Sequence, residues 1–151
     1  MRRDETITAD SELADLADLI LNVGRLVRAR TPDDGPDVVP LTETERQVMR
    51  VVDLYPGAAP SEIARRTRLQ RTNVSTALRA LEGKGMISRA AAAGRGVAVH
   101  PTELAASNLR VLRKGWTREF AGVLGDDTEA VRQCVQLLSR LERHLTADGE
   151  A

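Results

Sequence analysis

The chain has 151 residues, 22 Lys and Arg against 22 Asp and Glu, and a formal net charge of +0. That length suits one ordinary domain or two small lobes sharing a core, and a chain of this size buries about 68–70% of its unfolded surface without disulfide or metal staples. A composition of 42% hydrophobic and 29% charged residues excludes intrinsic disorder, and no run reaches the roughly 20 apolar residues of a bilayer span. Met1-Arg2-Arg3-Asp4-Glu5 leads into acidic sequence with no apolar leader segment. A single cysteine excludes an internal disulfide framework and a Cys-based zinc site. The expectation is a cytoplasmic protein, away from the membrane and without a cofactor.

Residues 1–10 read as a frayed tail ahead of one folded unit, 11–151. From Ser11 to about Arg30, apolar residues fall at Leu13, Leu16, Leu19, Ile20, Val23, Leu26 and Val27, gaps of three and four that predict a helix with Ser11 as its N-cap. Thr31-Pro32-Asp33-Asp34-Gly35-Pro36 is a loop. Thr42-Glu43-Thr44-Glu45 has the pattern of a capping box and opens a second helix through Val48, Met49, Val51, Val52 and Tyr55, which Pro56-Gly57 ends. Ser61 is placed to cap a short helix from Glu62 to Thr67, with Leu69 in the turn that follows. The next helix spans about Thr72 to Glu82, with Val74, Ala77, Leu78 and Leu81 inward, and Gly83-Lys84-Gly85 stops it. Met86–Arg89 and Val97–Val99 read as strands around a loop. Two long helices close the chain, about Thr102 to Leu124 and Thr128 to Leu145, separated by Gly125-Asp126-Asp127. The fold class is therefore mainly α with a small β-hairpin wing: a winged helix-turn-helix lobe over 40–101, flanked by helices at 11–30 and 102–147.

The neutral chain is not evenly neutral. Between Ser61 and Arg95 lie Arg65, Arg66, Arg68, Arg71, Arg79, Lys84, Arg89 and Arg95 against Glu62 and Glu82, a local balance of +6. Such a segment presents a directed field to a polyanion. The plain alternative is a solvated arginine-rich surface. The helix from Thr72 favours the first reading. Its outward residues are Thr72, Asn73, Ser75, Thr76 and Arg79, short hydrogen-bonding groups and one guanidinium that suit a major groove. A merely solvated helix would carry more Glu/Lys pairs. No Ser/His/Asp order, P-loop, dinucleotide fingerprint or paired-carboxylate motif is present, which argues against an enzyme.

Ser61-Glu62-Ile63-Ala64, the run Asn73-Val74-Ser75-Thr76-Ala77-Leu78-Arg79-Ala80-Leu81-Glu82-Gly83-Lys84-Gly85-Met86-Ile87, then Arg89, Arg95 and Val99-His100-Pro101-Thr102 resemble the MarR family of bacterial winged-helix regulators. The resemblance extends over nearly the whole chain, since the outer helices match the family's dimerisation region in number and length. It implies a homodimer formed by 11–30 and 102–147, a repressor bound to a pseudo-palindromic operator on double-stranded DNA, and release by a small aromatic or amphipathic effector. It assigns DNA contact to Ser61, Arg71, Thr72, Asn73, Ser75, Thr76, Arg79, Arg89 and Arg95, and an effector pocket to Tyr55, Leu112, Trp116 and Phe120. Departures are visible. Ala93 stands where the family often carries an Asp that braces the wing-tip Arg, Thr76 where Arg is common, Arg79 where an acid is common, and Ala105 where Gly is common.

Other residues read more plainly. Cys134 shares the apolar side of the last helix with Val131, Val135 and Leu138, which predicts a buried, inert thiol. His100 and His144 stand apart without a carboxylate cluster, so no metal site is expected. Trp116 and Phe120, four apart on one helix, suit a core or dimer contact as well as a pocket. The competing function is a winged helix used for protein–protein contact without a specific DNA site.

Overall fold

The structure, a computed structural model, describes residues 2–31, 35–94 and 96–147, the side chains of residues 2–8 excepted. The chain divides into two units, Met1–Pro32 and Asp33–Ala151. The first is a single helix, α1 (Arg2–Arg30). It begins well before Ser11, so the expected tail is helical and Ser11 lies inside the helix rather than at its cap. Arg28 and Arg30 occupy its last turn, where cations complement the helix dipole. Leu13, Leu19, Val23 and Leu26 of the expected stripe are exposed.

The second unit follows the predicted order: α2 (Glu43–Leu54), α3 (Pro60–Thr67), α4 (Arg71–Gly83), β1 (Ile87–Ala91), β2 (Val97–Pro101), α5 (Glu103–Leu124) and α6 (Thr128–Ala147). The capping box of α2 is formed. The Glu45 N–H donates to Thr42 Oγ1 at 3.2 Å, and the Thr42 N–H donates to Glu45 Oε2 at 3.0 Å. Helix α3 starts one residue earlier than its expected cap: Ala59 is the N-cap, Pro60 is the first helical residue, and Ser61 lies within the helix. Proline suits that position because its missing N–H would be unpartnered anyway. Helix α4 ends in a Schellman arrangement. Gly85, at φ +73, donates to Glu82 O at 3.0 Å, and the Met86 N–H donates to Leu81 O at 2.9 Å.

The core lies where α2, α3 and α4 meet the hairpin. Val48, Val52, Ile63, Val74, Leu78, Leu81, Met86 and Val99 are almost wholly excluded from solvent. Each large aliphatic buried this way stabilises the lobe by about 1.5–3 kcal/mol. Strands β1 and β2 pair antiparallel, Ile87 opposite Pro101 through Ala91 opposite Val97. A bridge from Ala58 to Val99 fastens the α2–α3 connection to β2. Thr102 caps α5 and its hydroxyl also donates to Gly85 O at 2.6 Å, tying α5 to the exit of α4. Asn108, buried on α5, accepts from the Val39 N–H at 2.8 Å. On α2, burial pushes the Asp53 carboxyl above the usual carboxylate value, and the neighbouring Arg50 partly offsets this.

Helix α6 differs from the rest of this unit: none of its residues is buried. Cys134 is accordingly exposed, which corrects the expectation of a buried thiol. The i, i+3, i+4 spacing places it on an apolar face whose residues Val131, Val135, Leu138 and Leu141 are themselves exposed. No helix among the described residues is long and apolar enough to cross a membrane.

Candidate nucleic-acid interface

Helix α4 is held by one face and presents the other. Val74, Ala77, Leu78 and Leu81 are buried, while Arg71, Thr72, Asn73, Ser75, Thr76 and Arg79 are exposed. These six are among the nine residues that the MarR resemblance assigns to DNA, and they form one contiguous face because they occupy the positions between the core contacts. Its only carboxylate is Glu82, near the C-terminal end. Ser61 is exposed near the start of α3 and lines an open groove with Glu62, Ala64, Arg65, Leu69 and Arg71. That groove lies where the first helix of the motif passes the start of the second, and Ser61 and Arg71 both line it.

The packing sorts the basic segment in a way its count does not show. Lys84 Nζ donates to Glu45 Oε2 at 2.6 Å and to Pro40 O at 2.8 Å. Glu45 is buried, and a buried carboxylate requires such a partner. Arg66 pairs with Glu62 at 2.9 Å and lies 3.7 Å over the Tyr55 ring centroid. Arg68 donates to the Leu145 carbonyl at 3.1 Å. Arg89, expected on DNA, is 3.3 Å from Glu82. That contact joins β1 to the end of α4. Among the described residues, Arg71 and Arg79 are held by no such acid and stand on the outward face of α4. Arg95 lies outside the described residues.

The four residues assigned to an effector pocket are distributed differently. Tyr55 is half-buried at the C-cap of α2, with one ring face under Arg66. Leu112 and Trp116 are half-buried and Phe120 is exposed, at four-residue spacing along α5. Among the described residues no group of three or more His, Cys, Asp or Glu side chains is placed to hold a metal ion. Sequence reasoning missed the roles of Glu45, Glu82 and Lys84 in fixing α4. The Thr42–Glu45 pattern signalled the cap, but no local pattern signals that the same carboxylate also receives a lysine 39 positions away.

Residues 39–96 match the model of the MarR family. No curated protein matches the chain. Among solved structures, the MarR family transcription regulator SP03579 is 20% identical, with a TM-score of 0.61 and coverage of 97% of each chain. The Mycobacterium tuberculosis MarR family protein Rv2887, in complex with p-aminosalicylic acid, is 25% identical with a TM-score of 0.58, over 82% of this chain and 98% of that one. Streptococcus pneumoniae FabT, in complex with DNA, is 19% identical with a TM-score of 0.57, over 87% of this chain and 98% of that one.

Proposed function

We propose that the chain, whose winged lobe matches the model of the MarR family over residues 39–96, is a homodimeric transcription regulator of that family that represses from a pseudo-palindromic operator. The observation that carries this reading is the outward face of α4: Thr72, Asn73, Ser75 and Thr76 between Arg71 and Arg79, all exposed, with no acid until Glu82. Short amides and hydroxyls reach base edges in a major groove, and the flanking guanidiniums neutralise phosphate. Ser61, in the groove beside Arg71, is assigned to a phosphate. Arg89, braced by Glu82, orients the wing, and Arg95 at its tip is assigned to the adjacent minor groove.

The dimer is supported by the exposed apolar stripes. Leu13, Leu19, Val23 and Leu26 on α1 and Val131, Val135, Leu138, Leu141 and Leu145 on α6 are all exposed in the single chain. Contiguous apolar faces of that kind mark association surfaces. A two-fold axis would set the recognition helices about 34 Å apart, one turn of duplex. A small aromatic acid as effector is supported by the ligand of the mycobacterial neighbour, with Leu112, Trp116 and Phe120 of α5, and Tyr55 of α2, as the residues to test. A cytoplasmic location follows from the same reading.

The test is a gel shift of the full chain on the DNA upstream of its own coding region, at two salt concentrations, beside a random duplex. Specific binding that weakens steeply with salt is expected, and Arg79→Ala should reduce the slope by about one. Arg95→Ala should lower the slope similarly and leave the dimer intact. Equal, weak retention of both duplexes would overturn the reading in favour of a winged helix that binds protein.

A further inference from the structure

We propose that Arg50, Arg68 and Glu142 clamp the C-terminal end of α6 onto the helix-turn-helix and thereby set the separation of the two recognition helices. The inference rests on the dimeric DNA-binding reading above and deepens it. Arg50 on α2 forms a forked contact with Glu142 on α6. Its Nε and Nη2 donate to Oε1 at 3.2 and 3.1 Å, and Nη2 donates to Oε2 at 3.1 Å. Forked guanidinium–carboxylate pairs fix orientation as well as distance.

The second point of the clamp is Arg68. It caps α3 at φ 57, ψ 21, the left-handed conformation of a residue between the two helices of the motif. Glycine occupies that conformation without strain, and an L side chain does not. The side chain kept there donates from Nη2 to Leu145 O at 3.1 Å. Leu145 lies in the last turn of α6, at the negative end of the helix dipole. Arg68 thus complements the charge of that helix end.

Both arginines are thereby committed to α6 rather than to phosphate. Helix α4, in turn, packs on α2 and α3 through Val74, Ala77, Leu78 and Leu81, and α3 lies beside α6. If α6 pairs with a second copy, its angle to α2 and α3 becomes the distance between the two α4 helices. Each contact is solvent-exposed and individually weak, so the clamp governs this soft angle and not the folding of the lobe.

The experiment uses the full chain and the variants Glu142→Gln, Arg68→Gly and the exchange Arg50→Glu with Glu142→Arg. Amide hydrogen exchange is followed over residues 143–147. Exchange about fivefold faster is expected in the first two variants, and near-native exchange in the third. Each protein is then titrated against duplexes selected from a random library, re-made with the spacer between half-sites one base pair shorter or longer. Preference for the selected spacing should fall about fivefold in Glu142→Gln and Arg68→Gly with an unchanged salt slope. The melting temperature of Arg68→Gly should not fall, because glycine relieves the backbone. Unchanged exchange in both variants would overturn the clamp whatever the DNA result. Faster exchange with unchanged spacing preference would overturn its positioning role, and a reduced salt slope would make the arginines phosphate contacts. If the unaltered chain selects no duplex, the DNA reading and this positioning role fall together, while the exchange data still report on the contact itself.

Discussion

Helices α2 and α6 carry the same kind of apolar spacing and meet opposite fates. In α2, Val48, Met49, Val51 and Val52 are buried against α3, α4 and the hairpin. In α6, Val131, Cys134, Val135, Leu138, Leu141 and Leu145 keep the same three- and four-residue intervals, and none is buried. The lobe around α2 finds its complementary surface within the chain. Helix α6 leaves its apolar face exposed, and its last turns meet α2 and α3 through exposed polar contacts. An amphipathic period shows that a face needs covering; it does not say by what.

The largest effect that would break this contrast is Leu138→Asp combined with Leu141→Asp. Sedimentation should show a single chain in place of a pair, and operator affinity should fall by about 10²–10⁴ through lost bivalency, with the melting of the winged lobe unchanged. A two-chain particle that survives the double substitution would assign the association to another surface. In the lobe the opposite pattern is expected: Leu81→Ala should cost about 2–5 kcal/mol in a denaturant titration, because the cavity it leaves is enclosed by packed neighbours. Leu124→Ala, at an exposed site on α5, should stay within about 0.5 kcal/mol in the same titration.

Next in size is Glu45→Ala, which removes half of the capping box and strips Lys84 of its buried partner. A loss of about 1.5–3 kcal/mol in unfolding free energy is expected; an unaltered midpoint would mean the Lys84 contact contributes nothing to placing α4. Asn73→Ala should cost about 1–3 kcal/mol on the selected operator and much less on random DNA. Equal losses on both would remove Asn73 from base readout.

The smallest effect concerns Asp53. Its carboxyl lies above the ordinary value because of burial, so the folded state holds the proton more tightly than the unfolded chain. Stability from this group is present below the unfolded value and is lost as pH rises through the raised one. Asp53→Asn should therefore gain under about 0.5 kcal/mol at neutral pH and nothing in acid. Melting curves across that range check the sign.

Much of the lobe was legible because its signals are local. The α2 cap joins residues three apart, and the outward row of α4 follows from helical period once Val74, Ala77, Leu78 and Leu81 are taken as core. The boundaries that moved, at Ser11 and Ser61, did so where a plausible cap residue was already inside a longer helix. The basic segment was the least legible part of the interface. Counting charges from Ser61 to Arg95 treats its cations alike, whereas Arg66, Arg68, Lys84 and Arg89 are each bound elsewhere.

Residue order alone determined the succession of helices and hairpin and which side chains share a face, because both depend on backbone periodicity and on contacts within a turn or two. Tertiary packing decided the rest: that Lys84 serves Glu45, that Arg68 serves the end of α6, that Arg89 meets Glu82, and that Cys134 lies open. Those outcomes depend on groups brought within about 3 Å across long stretches of chain, a range over which hydrogen bonds and ion pairs are decided by folded geometry and leave no periodic trace in the sequence.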